Sequence, residues 1–423
     1  MRRNYIRLFI LIFIIPTSYI IGQQQNSILD SLIRTSIEVS PKINMLKAKR
    51  NAAYNRIEQN SNLPDPVLTL GLRNLPTNSF SFNQDPMTQT AIGLRQTIPF
   101  PGKLSAIGEA SAIDTLIVGQ EIKDAENEIR MQVTKKYYQL NYIRRAIFYA
   151  KETKKLLKDI SDVVSVKYSV STASQQNLVK IQLEITNITD KIEDLRSKEY
   201  SVLAELNAFL LHNTRADIST ELIDTVKTVN LTTQRLDSLA RVNRPFLKGI
   251  LLSKEKAKLK EVVAEKEFYP NFSLGVNYSF RQNLVKSAMG GTDLFTVALG
   301  ISLPLNYGGK YTAKEQEAIS QQEFHSEQYF LALQFLDGKF GAAIANLESL
   351  VERIKLFEDG LLPQAQQNLN STLASYQVNE IDFINVIDAQ DQLFKIETNL
   401  YKLKTDYLKG IADLEFLVGT RLQ

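Results

Sequence analysis

The sequence lacks cysteine and tryptophan altogether and has only two histidines among its 423 residues. Without cysteine the chain can form no disulfide, thiolate zinc site or iron–sulfur cluster, and it has no cysteine nucleophile or N-terminal cysteine for lipid attachment. The histidines, His212 and His325, are too far apart in sequence to form a local metal motif. We therefore expect no catalytic residues, no bound metal and no cofactor.

Charge is close to balanced, with 50 Lys and Arg residues against 46 Asp and Glu residues. Three of the arginines lie in the first 22 residues, which contain no acid, so the rest of the chain is nearly neutral. Phosphate binding needs concentrated Lys and Arg, and no basic block is present. The sequence thus predicts no nucleic-acid partner.

The N-terminal segment, residues 1–22, is predicted to be a signal peptide. Its arginines precede an apolar run from Leu8 to Ile15, which is followed by small or polar residues around Gly22. The run is shorter than the about 20 apolar residues of a membrane-spanning helix. We expect export with cleavage near Gly22; an anchor kept in the mature protein is the alternative.

The chain repeats itself at an offset of 208 residues. Tyr168-Ser-Val170 recurs as Tyr376-Gln-Val378, and Asn177 recurs as Asn385. The apolar positions that follow step by three and four residues, which is the a/d spacing of helices wound together. In the first half these positions are Leu178, Ile181, Ile185, Ile188, Ile192, Leu195, Val202, Leu206 and Phe209. The pattern favours a duplicated helical hairpin over a general helical bundle.

Upstream of each hairpin the hydrophobic period changes to two, which predicts β-strands. In the second half, strands are predicted at about 270–281 and 293–304, on either side of a turn at 288–292. A weaker pair is predicted in the first half, at about 66–74 and 87–98. Each half therefore reads helix, strand, strand, long helix, helix.

The predicted organisation is a first repeat over 23–211, a linker over 212–230 and a second repeat over 231–423. The predicted helices cover roughly residues 27–60, 103–167, 174–211, 231–268, 310–375 and 380–419. The long helix of each half would reach roughly 100 Å at 1.5 Å per residue. Pro363 predicts a bend or a join within the second one, because an interior proline removes a backbone hydrogen bond.

Strands of about ten residues with one apolar face are typical of outer-membrane β-barrels. Four strands cannot close a barrel, since the smallest such barrels have eight, so the chain is predicted to share its strands with identical copies. Two copies give eight strands, and three give twelve, which leaves room for a channel. The alternative is a soluble periplasmic coiled-coil scaffold on which the strands form two surface hairpins.

Three motifs of the first half resemble the outer membrane efflux protein family of TolC-type channels. The residues that carry the resemblance are Pro64, Asp65, Pro66, Leu70–Pro76, Asp85–Gln89, Gln96, Pro99, Pro101, Gly102 and Lys103. The sequences of these motifs are most similar to those of the heavy-metal-efflux branch. The implied fold is mainly α with a small membrane β part, in which a homotrimer shares a 12-stranded barrel in the outer membrane. A long α-helical coiled-coil barrel continues it into the periplasm.

The resemblance also implies partners and a function. The trimer would dock on a periplasmic adaptor protein and an inner-membrane RND-type pump, with lipid around its barrel, and would catalyse no reaction. The first hypothesis is a passive exit duct for cations or heavy metals. Drugs, organic solutes or secreted polypeptide are the alternative cargo. An exported enzyme has least support, because the sequence has no Gly-x-Ser-x-Gly, phosphate loop or metal motif.

Candidate site residues follow from the same resemblance. The family's Tyr-x-x-Gly tip turns, with their neighbours, map to the docking candidates Tyr168, Ser171, Ser174, Tyr376 and Asn379. The entrance carboxylates of some members, with nearby acids, map to the gate candidates Asp388, Asn385, Asp382 and Glu380. A locking arginine of some members falls at Ile381. Three copies of Asp388 around a threefold axis are expected to favour cations; the alternative is that Asp388 only solvates an exposed helix face.

Overall fold

The structure is a computed structural model that describes residues 28–282 and 292–422. The predicted signal peptide and nearly all of the predicted turn at 288–292 lie outside the described residues. Within the two described ranges, every helix is either too short or too polar to serve as a membrane span.

The two halves of the described chain have the same order of elements. In the first half these are α1 (Ile28–Val39), α2 (Pro41–Ser61), β1 (Val67–Arg73), β2 (Gln89–Ile98), α3 (Lys103–Ser169) and α4 (Gln175–Leu210). In the second half they are α5 (Thr233–Asn243), α6 (Pro245–Lys266), β3 (Asn271–Arg281), β4 (Leu294–Ser302), α7 (Lys310–Leu356), α8 (Leu362–Gln377) and α9 (Phe383–Val418). The predicted fold class, mainly helical with a small sheet, is confirmed.

The first helix predicted in each half is in fact two helices, and the prediction of a single one was wrong. Pro41 begins α2 and Pro245 begins α6, and the residue before each proline, Ser40 or Arg244, has an extended backbone. Proline lacks an N–H and disfavours helical geometry in the preceding residue, so it starts a helix well and interrupts one badly. Both halves break at the corresponding place, as expected of a duplication.

The long helices of the two halves differ. The first, α3, runs unbroken for 67 residues, which is about 100 Å at 1.5 Å per residue. Its counterpart is divided into α7 and α8 by a five-residue π-helical turn, Phe357–Leu361, and Pro363 lies in the first turn of α8. The join predicted near Pro363 is therefore confirmed.

The strands form one antiparallel sheet in the order β1-β2-β3-β4, within two residues of the predicted bounds. The central pair, β2 with β3, joins the first half of the chain to the second, and Gly93 lies opposite Asn277 there. A Cβ at position 93 would collide with Asn277 Oδ1, so the Asn277 side chain would have to move to admit any residue larger than glycine.

The two faces of the sheet differ sharply in polarity. One face is almost wholly apolar and exposed, with Leu299 at 72% and Leu70 at 69% of full exposure. No helix packs against it in the described part of the chain. The opposite face carries small and polar residues, and Ala91 and Ser279 there are only 2% and 4% exposed. No helix covers these two residues either in the described ranges, so the neighbouring strands and loop shield them. We infer that the polar side of the sheet is the concave one.

The predicted heptad positions of α4 form the seam against α3. Most of them are buried, and the remainder pack at the edge of the same core. The buried members are Ile181, Ile188, Ile192, Leu195, Val202 and Leu206. The corresponding seam of α9 is buried at Val386, Ala389, Leu400, Leu403 and Leu414. Each half thus contains a coiled hairpin, as the spacing predicted.

The segment predicted as a linker, 212–230, has no helix or strand but lies closely along α3 and α9. Three tyrosine hydroxyls accept hydrogen bonds from its backbone N–H groups. Glu221 N donates to Tyr137 at 3.0 Å, Ile223 N to Tyr401 at 3.1 Å and Val229 N to Tyr407 at 3.2 Å. These bonds satisfy linker backbone groups that no regular structure pairs.

Candidate functional site

The two predicted tip turns have the same backbone geometry. Ser171 and Asn379 both adopt left-handed conformations, with φ of 63° and 64°. Each donates its N–H to the tyrosine three residues earlier, to Tyr168 O at 3.0 Å and to Tyr376 O at 3.2 Å. The next N–H in each turn reaches back five residues, at 2.8 and 3.0 Å. This is the helix C-cap that most often contains glycine.

Ser171→Gly is expected to increase resistance to thermal denaturation by about 1 kcal/mol per chain, because a left-handed backbone costs a non-glycine residue about 1–2 kcal/mol. Glycine's greater freedom in the unfolded chain offsets part of that gain. Ser174, the N-cap of α4, has an ordinary extended backbone, so Ser174→Gly is the matched control and should give no increase. Thermal melting of the purified protein in detergent measures both. A lower midpoint for Ser171→Gly would contradict the expectation.

The two tips are joined by Lys167, a residue that the sequence did not single out. Its Nζ donates to Tyr376 O at 2.6 Å, to Gln377 O at 3.3 Å and to Asn379 Oδ1 at 2.6 Å. The ammonium also lies 4.3 Å from the centre of the Tyr376 ring, in a cation–π contact. One side chain at the end of α3 therefore binds the turn between α8 and α9. Ile381, where the resemblance places an arginine lock, packs against the apolar core instead.

The tyrosines at matching positions of the two tips, Tyr168 and Tyr376, differ in how far they are exposed. Tyr376 is 6% exposed and its ring centre lies 5.7 Å from that of Phe383. Burial raises the pKa of the Tyr376 hydroxyl, which has no hydrogen-bond partner among the described residues. Tyr168 is 45% exposed. It belongs to an exposed apolar surface, the tip patch, which consists of Val166, Tyr168, Val170 and Val378.

The gate candidates lie at the start of α9. Asn385 and Asp388 are exposed and follow one another at a spacing of three, so they share a stripe of the helix. Asp391 continues that stripe and was not predicted. It is paired with Lys395 at 2.5 Å, and this hydrogen bond raises the pKa of Lys395. Asp388 forms no ion pair in the described part of the chain, although its charge also interacts with Lys395.

The other two gate candidates lie off this stripe. Asp382 is exposed at the N-cap of α9, and its side chain makes no capping bond. Glu380 accepts a hydrogen bond from Ser375 Oγ at 3.3 Å, within the second tip turn. Across both described ranges, no three His, Asp or Glu side chains come together as a possible metal site.

The signature residues of the first half lie far from the tips, where the sheet meets the helices. Gln96 donates through Nε2 to Pro64 O at 2.8 Å, which holds the chain leading into β1 against the end of β2. Phe100, between Pro99 and Pro101, stacks on Tyr269 with ring centres 4.5 Å apart.

The end of this motif starts the long helix. Gly102 is the N-cap of α3 with a φ of 80°, and Gly309 is the N-cap of α7 with a φ of 74°. Lys103 Nζ lies 3.9 Å from Glu267 Oε1, which precedes β3. The signature therefore shapes the strand-to-helix turn, where glycine supplies the left-handed backbone.

In the described residues, two coiled hairpins extend from one small sheet that has one apolar and one polar face. Residues 236–420 match the family model "Outer membrane efflux protein". The resemblance inferred from the first-half motifs is thereby confirmed, and so is the predicted location, an outer-membrane protein with a periplasmic helical part.

Solved structures share the fold over nearly the whole chain. A membrane protein from Pseudomonas aeruginosa has a TM-score of 0.77 at 14% identity, with 93% of this chain and 91% of that one covered. CusC has a TM-score of 0.76 at 17% identity, with 93% of this chain and 92% of that one covered. VceC from Vibrio cholerae has a TM-score of 0.74 at 16% identity, with 93% of this chain and 97% of that one covered.

One curated relative also matches in sequence, the outer membrane protein TolC of Vibrio cholerae. The two are 23% identical over 248 residues, which cover 56% of this chain. The match spans about half, 52%, of the relative's own length.

Proposed function

We propose that three copies of this chain form a passive exit duct in the outer membrane, as one component of a tripartite efflux system that catalyses no reaction. The observation that carries the proposal is the sheet. Its convex face is apolar and exposed, its concave face is polar, and neither edge, β1 or β4, has a partner strand among the described residues. Open edges and bare apolar faces are stable only when neighbours and lipid cover them.

Three copies suit this sheet better than two. Pairing β1 of one copy with β4 of the next closes a barrel of twelve strands, with a backbone radius of roughly 12 Å. Eight strands would give a barrel that side chains fill. The chain's division into a signal peptide (1–22), two repeats (23–211 and 231–423) and a linker (212–230) is part of this proposal.

The proposed partners bind at opposite ends. Outer-membrane lipid would cover the apolar face of the sheet. The tip patch, together with the turns at Ser171, Ser174 and Asn379, is the proposed contact for a periplasmic adaptor and an RND-type pump. The patch supports this because Tyr168 and its neighbours expose apolar side chains at the far end of the hairpins.

For the cargo, we propose cations or heavy metals. The support is the sequence of the first-half motifs and the stripe of α9 that carries Asp388 and Asp391. Drugs, organic solutes or polypeptide are the alternative cargo. A soluble periplasmic scaffold is the alternative to a duct.

The test of the duct is reconstitution. Mature protein purified from outer membranes should migrate as a trimer in detergent and should produce stepwise ion conductance in planar bilayers. A monomer that stays soluble without detergent and gives no conductance would overturn the proposal and favour the scaffold.

Asp388→Asn is expected to reduce the preference of the channel for cations, because it removes a carboxylate charge from the proposed entrance ring. Reversal potentials in a potassium chloride gradient measure the preference. Asp190→Asn, which removes an exposed charge from α4, is the matched control and should leave the potential unchanged. Equal reversal potentials for Asp388→Asn and the original protein would remove Asp388 from the gate.

A further inference from the structure

We infer that the exit end of this duct is a basic zone that favours anionic solutes, because every charged side chain of the four strands is an arginine on the concave face. This rests on the proposed function, since trimer assembly is what turns that face toward the lumen. The three residues are Arg73 on β1, Arg95 on β2 and Arg281 on β3.

The strand register places all three arginines on the same side. Arg73 pairs with Gln89, and Gln89 pairs with Arg281, so these three form one row across the sheet at its loop end. Arg95 pairs with Gly275 on the same face, six residues further along β2. At about 3.3 Å per residue, the two levels are roughly 20 Å apart. A trimer would have six guanidinium groups at the outer level and three at the inner one.

No carboxylate neutralises these charges in the described part of the chain. The strands contain neither Asp nor Glu. Arg73 Nη2 donates to Asn277 Oδ1 at 3.4 Å, and Arg281 donates to Pro86 O at 3.0 Å from Nε and 2.5 Å from Nη2. Both acceptors are neutral. Arg95 is exposed and has no hydrogen bond or ion pair there.

The two acids nearest the loop end have other partners. Asp293 accepts from Tyr278 Oη at 2.8 Å, and Tyr278 lies on the apolar face. It also accepts from the backbone N–H of Arg281 at 3.0 Å. Asp85 accepts from Met87 N at 2.7 Å. Neither carboxylate contacts an arginine side chain of the concave face.

An anchoring role at the lipid interface does not account for the arginines. Arginines that reach a lipid headgroup region extend from the lipid-facing side, and these three project from the opposite face. A structural role does fit Arg281, which holds Pro86 of the β1–β2 loop. It does not fit Arg95, whose head group binds nothing in the described ranges.

The physical effect follows from the size of the barrel. With a backbone radius of roughly 12 Å, an inward guanidinium lies within one Debye length, about 10 Å at 0.1 M salt, of the axis. Nine cations in the wall of one narrow passage raise the local concentration of anions and lower that of cations. The solutes favoured at the exit are inorganic anions and organic solutes bearing carboxylate, phosphate or sulfonate groups. A basic exit therefore weighs against the cation cargo proposed above and in favour of the organic-solute alternative.

The test is ion selectivity with the arginines removed. In reconstituted trimers, Arg73→Gln, Arg95→Gln and Arg281→Gln together should lower the chloride-to-potassium permeability ratio by about threefold or more at about 0.1 M salt. The difference should shrink at about 1 M salt, where screening is within about 3 Å. The control changes three exposed arginines outside the sheet, Arg50, Arg56 and Arg215, to glutamine and should leave the ratio unchanged.

A charged blocker locates the zone. Inositol hexakisphosphate added on the loop side should block the original channel at lower concentration than when added on the tip side. The three arginine changes should abolish this difference, and the corresponding three changes to lysine should keep it. If the triple variant fails to assemble, Arg95→Gln alone should still move the permeability ratio in the same direction.

The outcomes separate the two proposals. Trimers that conduct, with the same permeability ratio and block for the original and arginine-free channels, would overturn the basic exit and leave the duct intact. An original protein that forms no channel would overturn the duct itself.

Discussion

Lys167→Met is expected to increase the single-channel conductance of the reconstituted trimer several-fold. The ammonium of Lys167 makes three hydrogen bonds to the second tip, and a bond to a charged group contributes about 1.5–3 kcal/mol. Methionine keeps the length and apolar stem of the side chain but makes none of them. The two hairpins of each chain then lose their polar connection at the tips, so the tip end of the proposed duct can widen.

The control for this experiment is Lys155→Met, which removes an exposed lysine from the same helix without a tip contact. Lys167→Arg should show intermediate conductance, because its guanidinium can still donate to the same acceptors. Single-channel steps in planar bilayers measure all three variants. If Lys167→Met gave intact trimers with unchanged steps, Lys167 would have no part in holding the tips together.

Val297→Arg is expected to prevent outer-membrane insertion. Val297 is in the middle of β4 on the apolar face and is 62% exposed in the single chain. An arginine facing lipid near the midplane costs about 2–4 kcal/mol, and a trimer would carry three. Thr296→Arg is the matched control, since the adjacent residue faces the concave side and its charge would stay in water.

Membrane fractionation and the mobility of unheated protein on SDS gels measure this outcome. Val297→Arg should be absent from outer-membrane trimers, and Thr296→Arg should form them at normal levels. If both variants assembled equally, the apolar face would not be in lipid, and the scaffold interpretation would gain support.

Much of the fold could be predicted because its signals are local. A period of two gave the strand bounds within two residues, and the a/d spacing gave the seams at Ile181 and Val386. The Tyr-x-x-Gly comparison located both tip turns, although neither contains glycine. The left-handed backbone of Ser171 and Asn379 is maintained by hydrogen bonds of the turn itself, so the turn did not depend on that residue type.

Prediction from the sequence failed for contacts between residues far apart in the chain, and also where a local signal was overlooked. Lys167 meets acceptors more than 200 residues away, and no spacing rule identifies such a pair. Tyr376 is buried and Tyr168 is exposed, although both occupy the same position of the repeated motif. The difference depends on the helices around each tip, which the motif does not encode. Pro41 and Pro245 were a readable signal, since a proline within a helical pattern indicates a boundary.

The contrast between α3 and the α7–α8 pair has a mechanical consequence. The helix α3 is continuous from the end of β2 to the first tip. A displacement at that tip is therefore carried along α3 to the strands. In the other hairpin, the wide turn at Phe357–Leu361 can absorb rotation, and the buried Lys404 holds Glu358 of that turn to α9 at 2.6 Å. Rotation of α8 relative to α7 can thus take place at this turn without moving the strands.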